Sequence, residues 1–155
     1  MELSYKSLMD EVITTLENTQ TMTLATCVEG RVTARTMAIV NDGTTLLFQT
    51  NGFSEKIRQL NKNNNVAFAS DNLQVEAVAN ITYDQEITQI FVKKYKVKYP
   101  QYYAVYSGMP DEVTVICIPI RFALYKFIEG KPYKDVLDVV NNRAYRDVLI
   151  NPELI

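Results

Sequence analysis

Residues 49–70, QTNGFSEKIRQLNKNNNVAFAS, contain the transition that decides the fold. An apolar strand ends in Gln49 and Thr50, and the next two residues, Asn and Gly, are a typical turn pair. Ser54 is a favourable helix N-cap, and Ile57 and Leu60 lie on one face of a short helix over residues 54–63. A second strand, NVAFAS, follows at residues 65–70. The stretch predicts a strand–helix–strand unit with hydroxyl and ammonium groups gathered at one helix end.

Hydrophobic periodicity and turn signals place the other elements around this unit. They predict helices over 4–18 and 84–98, and strands over 21–28, 31–40, 44–50, 73–83, 111–120 and 121–130. The strands over 21–28 and 31–40 form a hairpin across Glu-Gly, and residues 134–149 form a helix or a covering arm. Many short strands with tight turns and few helices predict an α+β fold, dominated by a β-barrel with helices packed outside it. The length of 155 residues indicates a single domain over 1–155.

Composition excludes several classes of function. The chain has a net charge of −2 and no histidine, so bulk nucleic-acid binding and histidine-dependent catalysis are not expected. Cys27 and Cys117 lie inside apolar runs and are predicted to be buried thiols, and no metal site is expected. No apolar run approaches the roughly 20 residues of a membrane-spanning helix, and no signal peptide is evident, so a cytoplasmic protein is expected.

Charged and hydroxyl side chains near residue 54 allow two interpretations. Helix N-termini attract anions, and Ser54, Lys56 and Thr50 would point hydroxyl and ammonium groups toward one space. Arg35, in the otherwise mostly apolar TARTMAIV, would add a bidentate cation for phosphate oxygens. Alternatively, Ser54 caps the helix, and Lys56 and Arg35 are solvated surface charges.

The ordered set RVTARTMAIV, LLFQTN, SEKIRQLNKNNNVAFAS and LQVEAVANI resembles the FMN-binding split barrel of the pyridoxamine 5′-phosphate oxidase family. The resemblance covers residues 20–83 well and 111–130 more weakly, and implies a Greek-key-like split barrel that binds FMN at a homodimer interface. It implies phosphate binding by Arg35 and Lys56 and a flavin contact from Gln74 of the neighbouring subunit. The implied cofactor-binding residues are Arg35, Thr36, Met37, Ala38, Ile39, Gln49, Thr50, Ser54, Glu55, Lys56 and Gln74.

One departure from the family pattern limits the functional expectation. The oxidase itself carries a C-terminal substrate motif with Arg and His, whereas this chain has no histidine. We therefore expect a small-molecule, FMN-dependent oxidoreductase other than pyridoxamine phosphate oxidase, or a non-catalytic flavin- or ligand-binding module for sensing or storage. Catalysis is expected to need no side-chain general base, with Cys27 and Glu76 the first residues to test if activity titrates near neutrality.

The segment FVKKYKVKYPQYYAVYSGMP, residues 91–110, alternates basic residues with tyrosines. This pattern is typical of a nucleic-acid stacking surface, but it also fits a helix with solvated lysines. The acidic chain favours the solvated helix. In a third interpretation the tyrosines line the open face of the flavin site and admit an aromatic or anionic substrate. They are Tyr95, Tyr99, Tyr102, Tyr103 and Tyr106.

Overall fold

The computed structural model describes residues 1–149, which form nine strands and four helices. In chain order the elements are α1 (Tyr5–Asn18), β1 (Met22–Val28), β2 (Arg31–Met37), β3 (Val40–Asp42), β4 (Thr45–Asn51), α2 (Glu55–Lys62), β5 (Asn65–Ser70), β6 (Leu73–Thr82), α3 (Gln85–Lys98), α4 (Pro100–Tyr106), β7 (Glu112–Ile128), β8 (Lys131–Asp138) and β9 (Arg143–Val148). The last six residues of the predicted 1–155 domain lie outside the described part.

The strands form one antiparallel sheet in the order β2-β1-β5-β6-β7-β4-β3, with β8 paired to β7 and β9 to β8. Within residues 1–149 no pairing joins β2 to β3, so the sheet curls without closing. The predicted α+β split barrel with peripheral helices is therefore confirmed. The β1–β2 hairpin is also as predicted, and Glu29 and Gly30 both take positive φ in its turn, as the favoured two-residue hairpin turn requires.

Strand β7 connects the two parts of the sheet and differs from the prediction of separate strands over 111–120 and 121–130. It runs unbroken over 17 residues and pairs along one side with β6. Along its other side it pairs first with β4 and then, from Arg121, with β8. The change from β4 to β8 as partner occurs just after Pro119, which has no backbone N–H to donate to a neighbouring strand. A β-bulge in the pairing of β6 with β7 lies at the same point.

Three further differences concern elements that periodicity misassigned or left unassigned. Residues 134–149, predicted as a helix or an arm, instead lie within the β8–β9 hairpin. The predicted strand over 31–40 is interrupted after Met37, and β3 resumes at Val40. Residues Pro100–Tyr106 form the short helix α4, which begins with proline at its first turn, where the missing N–H costs nothing.

Apolar faces of the helices close the barrel core. The buried face of α1 consists of Leu8, Val12 and Leu16, and its N-cap Ser4 accepts a hydrogen bond from the Ser7 N–H at 3.2 Å. The large aromatic side chains Phe48, Phe68 and Phe122 fill the centre. A second, smaller cluster places Phe91 of α3 and Tyr99 against Val40 and Leu47. This second cluster positions α3 and α4 over one edge of the sheet.

Candidate functional site

The loop between β4 and α2 brings a hydroxyl and an ammonium group to the start of α2. The Gly52 N–H donates to the Asp111 carbonyl at 2.8 Å, and a Cβ on Gly52 would lie 3.1 Å from a Val113 methyl carbon. Glycine is thus suited to this close approach of backbone and strand. Asn51 Oδ1 accepts from the Phe53 N–H at 2.8 Å and completes the turn.

Ser54 precedes the first residue of α2, but its side chain makes no capping hydrogen bond. Its Oγ is the one buried side-chain polar atom without a hydrogen-bond partner among residues 1–149. Buried polar atoms are nearly always paired, because an unpaired one costs about 1–3 kcal/mol. The interpretation of Ser54 as an ordinary side-chain cap does not agree with this geometry, and its hydroxyl is free to bind another group.

Arg35 is held in one orientation by a polar network. Its Nη1 donates to Thr26 Oγ1 at 2.9 Å and to the Leu24 carbonyl at 3.2 Å, and its Nη2 donates to Thr33 Oγ1 at 2.8 Å and Gln59 Oε1 at 3.2 Å. Gln59, a buried polar residue of α2 that the sequence interpretation missed, also accepts from Thr26 at 2.6 Å. The network fixes the guanidinium beside α2 and rules out a freely solvated arginine.

Lys56 lies close to Arg35, and the nearby Glu112 carboxylate only partly offsets the repulsion between the two cations. Burial lowers the pKa of Lys56, and the neighbouring Arg35 charge lowers it further, while Glu112 raises it by less. Burial also lowers the pKa of Arg35, partly offset by Glu55. Neither cation makes an ion pair with a carboxylate of residues 1–149. Arg35, Ser54 and Lys56, here called the cationic cluster, therefore combine two incompletely neutralised cations with an unpaired hydroxyl.

A cavity of about 780 Å³, within the size range of small-molecule sites, lies next to this cluster, but Arg35, Ser54 and Lys56 do not line it. Its sheet side is formed by β2, β4 and the residues that follow β2. The predicted cofactor residues on this side are Thr36, Met37, Ala38, Gln49 and Thr50. Five of the sequence-predicted residues therefore share one cavity, and Arg35 directly precedes the first of them.

The opposite side of the cavity comes from α3 and α4 and is aromatic. Tyr95, Tyr102, Tyr103 and Tyr106 line it, together with Phe91. The third interpretation of the tyrosine-rich segment thus agrees with the position of four of its five tyrosines. Tyr99 is the exception, because it is buried beside Ile39 and does not line the cavity.

The remaining predicted residues lie elsewhere. Ile39 is buried behind the sheet side, and Glu55 is exposed, with an Oε1 3.6 Å from Arg31 Nη1. Gln74 lies on the outer face of β6, in a groove separate from the cavity. A contact between Gln74 and a ligand in the cavity would therefore require a second copy of the chain, and the cofactor roles of all three residues stay predictions.

Glu112 is the titratable cavity residue that the sequence interpretation missed. It begins β7, pairs with Asn51 of β4 and lines the cavity, whereas Cys27 and Glu76 do not. Burial raises the pKa of Glu112, and Lys56 lowers it by less. No sequence motif marks Glu112, because only the pairing of β4 with β7 brings it beside the cationic cluster.

Two further features concern residues 1–149. No group of three or more metal-ligating Cys, Asp or Glu side chains occurs there. No helix in that part of the chain is long and apolar enough to cross a membrane.

Residues 8–124 match the family model described as pyridoxamine 5′-phosphate oxidase. No curated protein matches the chain by sequence. Among solved structures, Campylobacter jejuni ChuZ shares 14% identity at a TM-score of 0.75, with 97% of this chain and 67% of ChuZ covered. A Clostridium acetobutylicum protein related to general stress protein 26, of the pyridoxinephosphate oxidase family, shares 17% identity at a TM-score of 0.66. The match covers 90% of this chain and 99% of that protein. HutZ, the heme storage protein of Vibrio cholerae, shares 16% identity at a TM-score of 0.59. The match covers 76% of this chain and 91% of HutZ. At these identities the structural similarity shows the fold alone.

Proposed function

The chain belongs to the pyridoxamine 5′-phosphate oxidase family, and from that membership we propose that it is an FMN-binding flavoprotein. The observation that carries the proposal is the unpaired Ser54 hydroxyl two residues before Lys56, whose ammonium lies close enough to Arg35 for the Arg35 charge to lower its pKa. A phosphate dianion would accept the hydroxyl hydrogen bond and neutralise both cations, which burial otherwise disfavours. The residues present therefore fit the phosphate end of FMN.

The cavity supports the same proposal for the ring end of the ligand. Thr36, Gln49 and Thr50 offer hydroxyl and amide groups along the sheet side, and Met37 and Ala38 offer apolar contact. The four Nη hydrogens of Arg35 are already donated to Leu24, Thr26, Thr33 and Gln59, so Arg35 would offer the phosphate its positive charge and its remaining Nε–H. When bound, FMN supplies hydride transfer, and the contribution of these side chains is to position it and exclude water.

We further propose an oxidoreductase acting on a small molecule, with a non-catalytic flavin-binding module as the alternative. Pyridoxamine phosphate oxidation itself is not proposed, because the chain lacks the histidine of that enzyme's substrate motif. The two alternatives differ in whether a bound flavin has an electron donor. Anaerobic addition of reduced nicotinamide dinucleotide distinguishes them: loss of the flavin absorbance supports the enzyme, and an unchanged spectrum with every nicotinamide donor supports the module.

We also propose a homodimer in which Gln74 reaches the partner's cavity. Gln74 lies on an outer sheet face with the small exposed side chains Ala67 and Ala69, and a groove of about 400 Å³ crosses that face. Small side chains allow two sheets to approach closely, and a two-fold axis would produce two equal sites. Gln74 lines this groove and not its own chain's cavity, which supports a contribution across the interface.

Comparison of FMN with riboflavin tests the FMN proposal, because riboflavin lacks the phosphate. Replacing Lys56 by Met should weaken FMN binding by about 1.5–3 kcal/mol, roughly 10- to 150-fold, the scale of a charge-assisted hydrogen bond. Riboflavin affinity should change far less, since only the phosphate meets this ammonium. Lys62→Met, in the exposed last turn of the same helix, is the matched control. Equal losses for both ligands would contradict the proposal.

Hemin is the informative competitor, because the fold is shared with a heme storage protein. The cavity contains no histidine, so we expect hemin to bind weakly and FMN to displace it. Saturable hemin binding that FMN does not displace, and that survives Lys56→Met, would favour a heme-binding module instead.

A further inference from the structure

A second groove, here called the α2 groove, lies between one face of α2 and the end of the β1–β2 hairpin. Its volume is about 380 Å³, and none of its lining residues lines the cavity described above. Its polar lining residues are Glu29, Arg31, Glu55, Arg58, Gln59 and Lys62. The α2 groove is therefore a separate feature, with three cationic side chains, two carboxylates and one amide.

Gln59 brings an unused hydrogen-bond donor to the α2 groove. Its side chain is only 7% exposed, and its Oε1 accepts hydrogen bonds from Thr26, Thr33 and Arg35. A guanidinium can only donate, so the bond from Arg35 fixes which end of the amide is the oxygen. The other end, Nε2, makes no hydrogen bond within residues 1–149, although it is not sealed off from solvent. Nε2 thus offers its N–H groups to the α2 groove that Gln59 lines.

The ion pairs of the α2 groove leave positive charge uncompensated. Glu55 is engaged by Arg31, with Oε1 and Nη1 3.6 Å apart. Arg58 and Lys62 make no ion pair within residues 1–149, and they lie four residues apart on one face of α2, where like charges repel. Glu29 is the remaining carboxylate of the groove. An anion between Arg58 and Lys62 would relieve their repulsion and accept the Gln59 N–H.

We propose that the α2 groove is a second oxyanion site, for inorganic phosphate or a small phosphate monoester. Gln59 Nε2 is its buried donor, and Arg58 and Lys62 supply its positive charge. A phosphate dianion matches two cations and has enough oxygens to accept from an amide and a guanidinium at once. The site does not depend on the flavin proposal, because it shares no residue with the cationic cluster.

The Gln59 side-chain amide reports directly on this site. Inorganic phosphate is titrated into Lys56→Met protein, in which the cationic cluster lacks its ammonium, and the spectrum is followed by two-dimensional proton–nitrogen NMR. The Gln59 side-chain signals should shift until they saturate, and chloride at the same ionic strength should not reproduce the shift. Glycerol phosphate should move the same signals, and the tighter of the two probes identifies the free ion or the ester as the ligand class. No saturable shift with either probe would overturn the proposal.

Two substitutions locate the binding, which is then followed by the backbone amide signals of α2. Arg58→Met should weaken phosphate binding on the order of tenfold, the scale of one charge-assisted hydrogen bond. Arg143→Met, which removes an arginine outside the α2 groove, should leave the affinity unchanged. Equal affinities in the two variants would overturn the assignment.

Gln59→Glu is the sharper substitution, because it keeps the acceptor for Arg35 and replaces only the donor. The Arg35 charge keeps the introduced carboxylate ionised, so phosphate binding in the groove should be abolished. Binding that survives Gln59→Glu would show that Nε2 is not the donor. Arg58 lies on the exposed surface of α2, so Arg58→Met tests the site even where Gln59→Glu does not fold.

Separate FMN titrations distinguish this proposal from the flavin proposal. FMN-loaded wild type should still bind phosphate in the α2 groove, because the phosphate of FMN would occupy the cationic cluster. If FMN fails to bind while the Gln59 signals still respond to phosphate, the flavin proposal fails and the groove site stands. If phosphate only displaces FMN and leaves the Gln59 signals of Lys56→Met unmoved, the groove site fails and the flavin proposal stands.

Discussion

The Tyr99 hydroxyl lies 2.9 Å from the carbonyl oxygen of Ile39 and accepts a hydrogen bond from the Ile39 N–H at 3.3 Å. It also meets the Gln20 carbonyl. Tyr99 stands at the junction of α3 and α4, and Ile39 directly follows the sheet residues that line the cavity. This contact therefore joins the two sides of the cavity. Burial raises the pKa of Tyr99 to about 12, so the hydroxyl keeps its proton throughout the physiological range.

Replacing Tyr99 by Phe should destabilise the protein by about 1–3 kcal/mol, because the buried Ile39 N–H loses its acceptor and the Gln20 carbonyl loses its donor. The measurement is the free energy of unfolding in urea. Tyr83→Phe, whose side chain is 79% exposed, should change that free energy by less than about 0.5 kcal/mol. Equal effects of the two substitutions would show that the Tyr99 hydroxyl does not join the cavity sides.

Replacing Ser54 by Ala should leave the flavin-free protein at least as stable as the wild type, and up to about 1–3 kcal/mol more stable, because it removes a buried hydroxyl that makes no hydrogen bond. Ser4→Ala, which removes a side-chain cap actually formed on α1, should cost about 0.5–2 kcal/mol. The order of the two variants should reverse for FMN affinity. Ser54→Ala should lose roughly tenfold or less relative to the wild type, and Ser4→Ala should lose none. A stability cost at Ser54 matching that at Ser4 would restore the simple capping role.

Lys56→Met should stabilise the flavin-free protein while weakening FMN binding. The folded state lowers the pKa of Lys56, so it disfavours the charged ammonium relative to the unfolded chain at neutral pH. Removal of the charge should raise Tm on the order of 1–2 °C. The wild type should gain stability as pH rises through the lowered pKa toward the ordinary lysine value, and the variant should not. A lower Tm in Lys56→Met than in Lys62→Met would show that the charge is already compensated.

Asp135 is buried and accepts from Arg146 Nε at 2.6 Å, Arg146 Nη2 at 2.8 Å and Lys126 Nζ at 2.8 Å. Burial alone would raise the pKa of Asp135, but the hydrogen bonds from Arg146 and Lys126 outweigh it and lower that pKa. The stability that Asp135 contributes is therefore complete above the ordinary aspartate pKa and is lost as pH falls through the lowered one.

Asp135→Asn should destabilise the protein at pH 7 by about 3–5 kcal/mol, the usual result of breaking a buried ion pair. Its acid unfolding curve should also lose the steep segment below about pH 4. Asp10→Asn, which breaks an exposed pair on α1, should cost at most about 0.5 kcal/mol. Acid unfolding of Asp135→Asn that parallels the wild type would contradict the assignment.

The FMN-loaded protein should sediment at about twice 17.7 kDa. Ala69→Glu, on the Gln74 face, should shift the mass toward the monomer and weaken flavin binding, because a charge would be buried between two sheets. Asn61→Glu, exposed on α2, should do neither. A wild-type monomer that binds FMN tightly would contradict the dimer and the role of Gln74 together.

Sequence patterns determined the elements whose signals are local. The β1–β2 hairpin, α2 with its buried Ile57 and Leu60, and α1 with Leu8, Val12 and Leu16 follow from turn residues and from apolar periods of two or of about three and a half. The resemblance to the family followed from the order of such elements around Arg35 and Lys56. These predictions succeed because the spacing of apolar residues along a helix or strand shows which of its faces is buried.

The tertiary structure alone decided which elements meet. Residues 134–149 became part of the β8–β9 hairpin because β7 continues past Pro119 and offers an edge to β8, and local propensity does not show that edge. Gln59 orients Arg35 from an adjacent element, and Glu112 reaches the cavity because β4 pairs with β7. Such contacts join residues far apart in the chain, so periodicity within one element contains no record of them. For this reason the residues of the cationic cluster could be named from the sequence. The position of Glu112 in a cavity lined by tyrosines could be seen only in the tertiary structure.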